Sequence, residues 1–135
     1  MSNTIEENKQ VVIRFNKEFL EQGNTDILKE IVDEHFTNHT IPSNFPNDVT
    51  GLIQFAKILH KGFPDLKVEI DQQVGENDLV SSLKTITGTH LGEIMGHQPT
   101  GKKVKMTVID MVRIKDGKYI DHWAKNDVME IIQKL

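Results

Sequence analysis

The 135-residue chain contains no cysteine. Structural disulfides, thiolate metal sites and cysteine nucleophiles are thereby excluded. Charge of one sign is never concentrated: the net charge is -4 without a run of like charges. The basic stripe that accompanies nucleic-acid binding is missing. Lys102, Lys103 and Lys105 cluster, but they suit a solvated strand end. No apolar run is long enough to span a bilayer. The opening Met1-Ser2-Asn3-Thr4-Ile5-Glu6-Glu7 lacks the basic and apolar regions of a signal peptide, so a cytoplasmic location is the expectation. There is no phosphate loop, dinucleotide fingerprint or nucleophile elbow. Internal repeats, low-complexity tracts and linkers are also missing, and a single domain over residues 1–135 is expected.

What remains is a composition of 37% hydrophobic and 27% charged residues, suited to a packed core. Thr4-Ile5-Glu6-Glu7 matches a capping box. Val11, Val12, Phe15 and Phe19 then recur at helical spacing, predicting a helix that ends near Gln22-Gly23. Asn24 or Thr25 would cap a second helix carrying Ile27, Leu28, Ile31 and Val32. Residues 36–48, with Pro42, Pro46 and several Asn, read as a packed loop. Thr50 would cap a third helix bearing Leu52, Ile53, Phe55, Ala56 and Leu59, ended by Gly62 and Pro64.

Four strands are then predicted, over Leu66–Gln73, Leu79–His90, Lys103–Lys115 and Tyr119–Lys125. Asp116-Gly117 supplies the positive φ angles of a two-residue hairpin turn. Asp127 would cap a short closing helix with Val128, Met129, Ile131 and Ile132. Helices followed by antiparallel strands predict an α+β domain with its helices on one face of the sheet.

In the third predicted strand, Val104, Met106, Val108, Asp110, Val112 and Ile114 share one face. Asp110 is the lone carboxylate of that row. It is either an edge residue or the polar floor of a pocket. In a pocket, desolvation is expected to raise its pKa and suit it to proton transfer. On the last strand Ile120, His122, Ala124 and Asn126 share one face; Tyr119, Asp121 and Trp123 share the other. Mirroring about the turn pairs Lys115 with Lys118 and sets Asp110 against Asp121 to Trp123. Contact between His122 and Asp110 depends on a register that one residue of slip would reverse.

His90 lies between Gly88 and Gly92, at a bend that would either face a pocket or end in solvent. His35 and His39 are four apart, but their surroundings do not read as helix and carry no His-Glu-x-x-His motif, so no metal site is expected. His39, beside Asn38 and Thr40, better suits a polar pocket lining. The candidate ligand-binding set is His39, Trp123, Ala124 and Asn126. Trp123 reads equally as a core or dimer-interface aromatic.

Several segments, in order, resemble the SnoaL-like polyketide and ester cyclases of the nuclear transport factor 2-like superfamily. They are Val11-Val12-Ile13-Arg14-Phe15-Asn16, Gly62-Phe63-Pro64-Asp65 and Gly88-Thr89-His90-Leu91-Gly92. They continue with Pro99-Thr100-Gly101-Lys102 and with Arg113 through Trp123. The resemblance covers nearly the whole chain. It implies a curved antiparallel sheet wrapped on three N-terminal helices to form a cone, an apolar ligand in the cone opening, and a homodimer. It also implies ring closure by an intramolecular aldol reaction without metal or cofactor. Family cyclases place an acid/base Asp two residues after the His of the last strand's Asp-His pair; here that position is Ala124. A His of the preceding strand contributes in them; here its position is Asp110. His90 matches a further pocket His, and Asp127 a recurring Asp.

Two functions follow as expectations. One is a cofactor-free acid/base enzyme for a small apolar carbonyl or ester-like compound, with Asp110 as base and His122, His90 and His39 as partners. The other, motivated by Ala124, is a non-catalytic module for a hydrophobic ligand. A dimeric interaction module with a filled cone is a third.

Overall fold

The computed structural model describes residues 3–135. Helix α1 spans Ile5–Arg14. Its capping box is formed as the sequence predicts, with Glu7 N–H donating to Thr4 Oγ1 at 3.1 Å and Thr4 N–H to Glu7 Oε1 at 2.9 Å. The helix then widens into π-helical turns over Phe15–Glu21. A 3₁₀ turn at Thr25–Ile27 leads into α2, Leu28–Ile31. Helix α3 spans Val49–Gly62 and α4 spans Val128–Gln133. The strands are β1 (Val32–Asn38), β2 (Lys67–Glu76), β3 (Leu79–Thr89), β4 (Lys103–Lys115) and β5 (Lys118–Asn126).

The sheet has five strands in the order β1-β5-β4-β3-β2. The strand not foreseen is β1, and it pairs parallel to β5, so the sheet is mixed rather than purely antiparallel. Val32 therefore begins a strand instead of closing a helix. The Asp116-Gly117 turn lies where expected, with positive φ at both residues, and Asn77, also at positive φ, turns β2 into β3.

Two assigned caps are corrected. Asp48, not Thr50, caps α3, its carboxylate accepting from Thr50 N–H at 3.0 Å. Asp127 makes no side-chain cap at α4; its Oδ1 accepts from Thr107 N–H at 2.8 Å, while Asn126 Oδ1 accepts from Val128 N–H at 3.1 Å.

One irregularity decides which side chains face inward. Arg113 pairs with Asp121 but Ile114 pairs with Tyr119, leaving Ile120 as an extra residue on β5. This β-bulge shifts the alternation by one. Tyr119 accordingly points inward and is buried, stacked on Phe15 at 4.5 Å between ring centroids, rather than sharing an outer face with Asp121. The same shift sets Asp110 opposite Ala124, one residue beyond the Asp121–Trp123 range that simple mirroring gives.

The helices cover the inward rows of the sheet. Two apolar clusters result. One gathers Val12, Phe15, Phe19, Val80, Val112 and Tyr119. The other gathers Leu59, Phe63, Ile86, Met106, Val108 and Val128. Along the inward rows, Ser82 and Lys84 of β3 and Asp110 of β4 lie between them, all buried. A polar seam thus separates two hydrophobic cores.

Residues 39–48 close over one end of this seam and are held against α3. Phe45 packs edge-on to Phe55 at 5.7 Å. Gly51 lies so close to Pro46 that a Cβ there would overlap the Pro46 carbonyl oxygen. In an ordinary helix, Gly→Ala stabilises by up to about 1 kcal/mol. Here the sign should reverse: Gly51→Ala is expected to lower stability by roughly 1–3 kcal/mol through overpacking. Urea denaturation would show this as a lower midpoint at unchanged slope.

Candidate functional site

The seam is organised by Asp110. Its Oδ2 lies 2.9 Å from Lys84 Nζ and 3.3 Å from His122 Nε2. The side chains of Lys84 and Asp110 are 5% and 2% exposed. Burial pushes the Asp110 carboxyl upward. The Lys84 charge and the His122 hydrogen bond act in the opposite direction and prevail, so it titrates below its ordinary value. This corrects the expectation of a raised pKa at Asp110. Asp110 is a held carboxylate, and it lies behind the cavity wall rather than in it.

Lys84 was not singled out from the sequence. Its Nζ also donates to Asn16 Oδ1 at 3.0 Å, and Asn16 Nδ2 donates back to the Val12 carbonyl at 2.9 Å. Asn16 sits in the π-helical turns, where the widened backbone places it between Phe15 and Phe19. A signal was available: in Val80-x-Ser82-x-Lys84-x-Ile86, alternation puts a lysine on the inward row.

His122 bridges outward from this pair. Its Nδ1 faces Asn38 Oδ1 at 3.0 Å. The Asn38 amide is oriented by Thr40 N–H, which donates to the same oxygen at 3.3 Å. Both ring nitrogens therefore face acceptors, an amide oxygen and a carboxylate. The protonated ring satisfies both contacts, and the neutral ring only one.

His122 and Lys84 reach the wall of a half-open apolar cavity of about 120 Å³. Phe15, Phe19 and Leu20 form one side, Leu52, Phe55 and Leu59 of α3 another. Thr40, Ile41 and Pro42 close it, and Ile86, Val108 and Val128 complete the apolar lining. Asn38, Ala124 and Asn126 also line it, so two members of the predicted ligand-binding set stand beside His122. The other two, His39 and Trp123, lie away from the cavity. They stack on one another at 4.7 Å, and His39 Nε2 is 2.8 Å from Asp121 Oδ1.

His90 also lies elsewhere. It is fully buried, which corrects the solvated alternative, and is absent from the cavity wall. Its Nδ1 accepts from Thr100 N–H at 3.2 Å and lies 2.9 Å from Thr100 Oγ1. Its Nε2 has no partner among the described residues. His90 therefore ties the 90–100 loop to β3 and does not meet His122. Among the described residues, no group of three or more His, Asp or Glu side chains is gathered as a metal ion would require. No helix is long and apolar enough to cross a membrane.

A sheet wrapped on helices around a partly open apolar cavity, with a few polar groups at its floor, defines a nuclear transport factor 2-like protein. A family model described as SnoaL-like polyketide cyclase matches residues 10–135, and the chain belongs to that family. The fold is similar to that of a candidate polyketide cyclase from Bacillus cereus ATCC 10987, at 28% identity and a TM-score of 0.82, covering 94% of this chain and 78% of that one. A candidate polyketide cyclase from Acidithiobacillus ferrooxidans is similar at 25% identity and a TM-score of 0.82, covering 96% and 94%. AclR, a candidate hydroxylase from Streptomyces galilaeus, shares the fold at 24% identity and a TM-score of 0.81, covering 98% and 84%. No curated protein matches the sequence.

Breaking the buried pair from one side should be costly. Asp110→Asn leaves Lys84 buried without its counter-charge, and a loss of about 3–5 kcal/mol is expected. Replacing both, in Lys84→Met with Asp110→Leu, should recover most of it. Folded Asp110 titrates below its unfolded value of 3.8, so its stabilisation is complete above that pH and is lost as pH falls through the folded value. Acid denaturation curves of the wild type and the double variant should diverge in that window, with the double variant flatter.

Proposed function

We propose that the chain binds a small apolar molecule in this cavity and performs cofactor-free proton transfer on it, with His122 as the acid/base group. The observation that carries this reading is the placement of His122. Its ring lines an apolar cavity while its two nitrogens face Asp110 and Asn38. Those acceptors stabilise the ring once it has taken up a proton. Neutral His122, its Nε2–H held by Asp110, would turn its Nδ1 lone pair from the Asn38 oxygen to the ligand and take a proton from a carbon beside a carbonyl, the C–H electron pair moving into an enolate. The protonated ring would then return a proton in the forward or reverse direction. Asp110 is a positioning residue that orients the ring and balances its charge. Desolvation in the cavity strengthens each of these contacts.

Ala124 supports this assignment from another side. The carboxylate that family cyclases are expected to carry at this position is replaced by a methyl group. Ala124 is the cross-strand neighbour of Asp110, so the carboxylate has in effect moved to the facing strand. There it lies behind His122, and the imidazole becomes the group presented to the ligand. The same methyl group favours, as a second reading, a module that binds its ligand without turnover.

Incubation in D₂O with a panel of small enolisable ketones separates the two. Deuterium should enter the α-carbon faster with the protein than with buffer, read by proton NMR. His122→Gln should lower that rate about 100-fold or more, within the usual contribution of a general acid or base. Binding without any accelerated exchange across the panel would leave only the binding module.

A homodimer is part of this proposal. Leu83, Ile109 and Met111 are 41%, 52% and 41% exposed on the outer sheet face. Leu83 pairs with Ile109, and Met111 with Trp123, so the patch is continuous across three strands. A second copy of the chain, presenting the same patch about a twofold axis, is the occupant that an isologous contact needs. Sedimentation equilibrium should give twice the chain mass, and Ile109→Lys with Met111→Lys should give the monomer. A monomeric wild type at micromolar concentration would refute it.

A further inference from the structure

We infer that the cavity selects a ligand with an oxyanion on a compact apolar body, a carboxylate in the first instance, and that Lys84 Nζ receives it. This rests on the reading of the cavity as a small-molecule site and adds the charge and size of its occupant. Three observations converge on it.

The first is the donor count at Lys84. An ammonium group has three N–H donors. One is directed to Asp110 Oδ2 at 2.9 Å and one to Asn16 Oδ1 at 3.0 Å. The third has no acceptor among the described residues, and Lys84 is part of the cavity wall. A buried donor of a charged group left without an acceptor is costly, and a ligand oxygen would relieve it.

The second is the charge on the cavity wall. Among the described residues, Lys84 is the one formally charged side chain there, and no acidic residue lines the cavity to oppose an anion. Lys84 Nζ and His122 Nε2 both lie against a single carboxylate oxygen, Asp110 Oδ2. A ligand oxyanion would give Lys84 a second anionic acceptor, and that hydrogen bond would be charge-assisted.

The third is size. At about 120 Å³ the cavity is below the usual 300–1,000 Å³ range of drug-sized ligand sites. It is nearer to the apolar cavity of about 150 Å³ known to take benzene. A single ring with one short polar group fills it. A fused multi-ring body does not fit unless residues 39–48 move away.

The test compares benzoate with its neutral isostere benzamide by NMR titration of the isotope-labelled full chain near pH 7. Benzoate should bind at least about ten-fold more tightly, the shift that one charge-assisted contact in a buried site supports. The responding amides should include Lys84, His122 and Ala124. Equal or tighter binding of benzamide would overturn the charge selection while leaving the small-molecule reading intact. Binding of neither probe would overturn both. The variant Lys84→Gln with Asp110→Asn removes both charges of the pair together and so avoids leaving one of them unpaired. It should lose the preference, read as the ratio of benzoate to benzamide affinity; retention of the preference would overturn the role of Lys84. Should that variant not fold, the wild-type comparison of the two probes still decides the charge selection.

Discussion

The structure depends on the ion pair between Lys84 and Asp110. Each charge alone would be intolerable among the apolar rows of β3 and β4. Together, with Asn16 and His122 taking further hydrogen bonds, they become tolerable. The cost of removing charges from water still makes such a pair a weak source of stability. Its presence between two apolar clusters therefore asks for a reason other than folding. The geometry supplies one: the pair fixes the imidazole of His122 at the cavity wall and leaves one ammonium donor unspent. The π-helical turns belong to the same constraint, since they bring Asn16 onto Lys84 while Phe15 and Phe19 remain in the core.

Within the SnoaL-like family the arrangement is a redistribution of familiar parts. The resemblance leads one to expect a carboxylate on β5 and an imidazole on β4. Here β4 carries the carboxylate, and the imidazole comes from His122, diagonal to it on β5. The two groups still meet. What changes is which of them is exposed to a ligand. The carboxylate behind the wall is held ionised by its neighbours. The imidazole in front of it lines the cavity.

Much of the frame was legible in the sequence because strand alternation is a strict code. It set Asp110 in one row with Val108 and Val112. Asp116-Gly117 set the turn that brings β5 alongside. Other features were not legible, for identifiable reasons. Strand β1 reads Val-Asp-Glu-His-Phe-Thr-Asn, too polar and too irregular to announce itself, and it forms through parallel pairing with a strand distant in sequence. Lys84 escaped notice because lysine in a strand is ordinarily taken as solvent-facing; only its even spacing from Val80 and Ile86 betrays it. His39 lies just beyond the end of β1 and stacks on Trp123, which alternation sets on the face opposite His122 and Ala124, so both stand away from the cavity. Simple alternation sets Tyr119 on one face with Asp121 and Trp123 because nothing in the residues around Ile120 marks an interruption of the pleat.

That interruption has a wider consequence. Strand β5 is written in two phases joined at Ile120. Before the bulge the inward phase delivers Tyr119 to the aromatic core. After it, the inward phase delivers His122, Ala124 and Asn126 to the cavity. One residue thus acts as a coupling between a segment packed into the core and a segment that lines the cavity. Within such an arrangement the two segments can drift independently in sequence, but not in length. A related chain lacking the extra residue would need either a different core aromatic or a different strand to line the cavity. Gap placement at this one position, more than overall similarity, should therefore sort relatives that share this site from those that share only the fold.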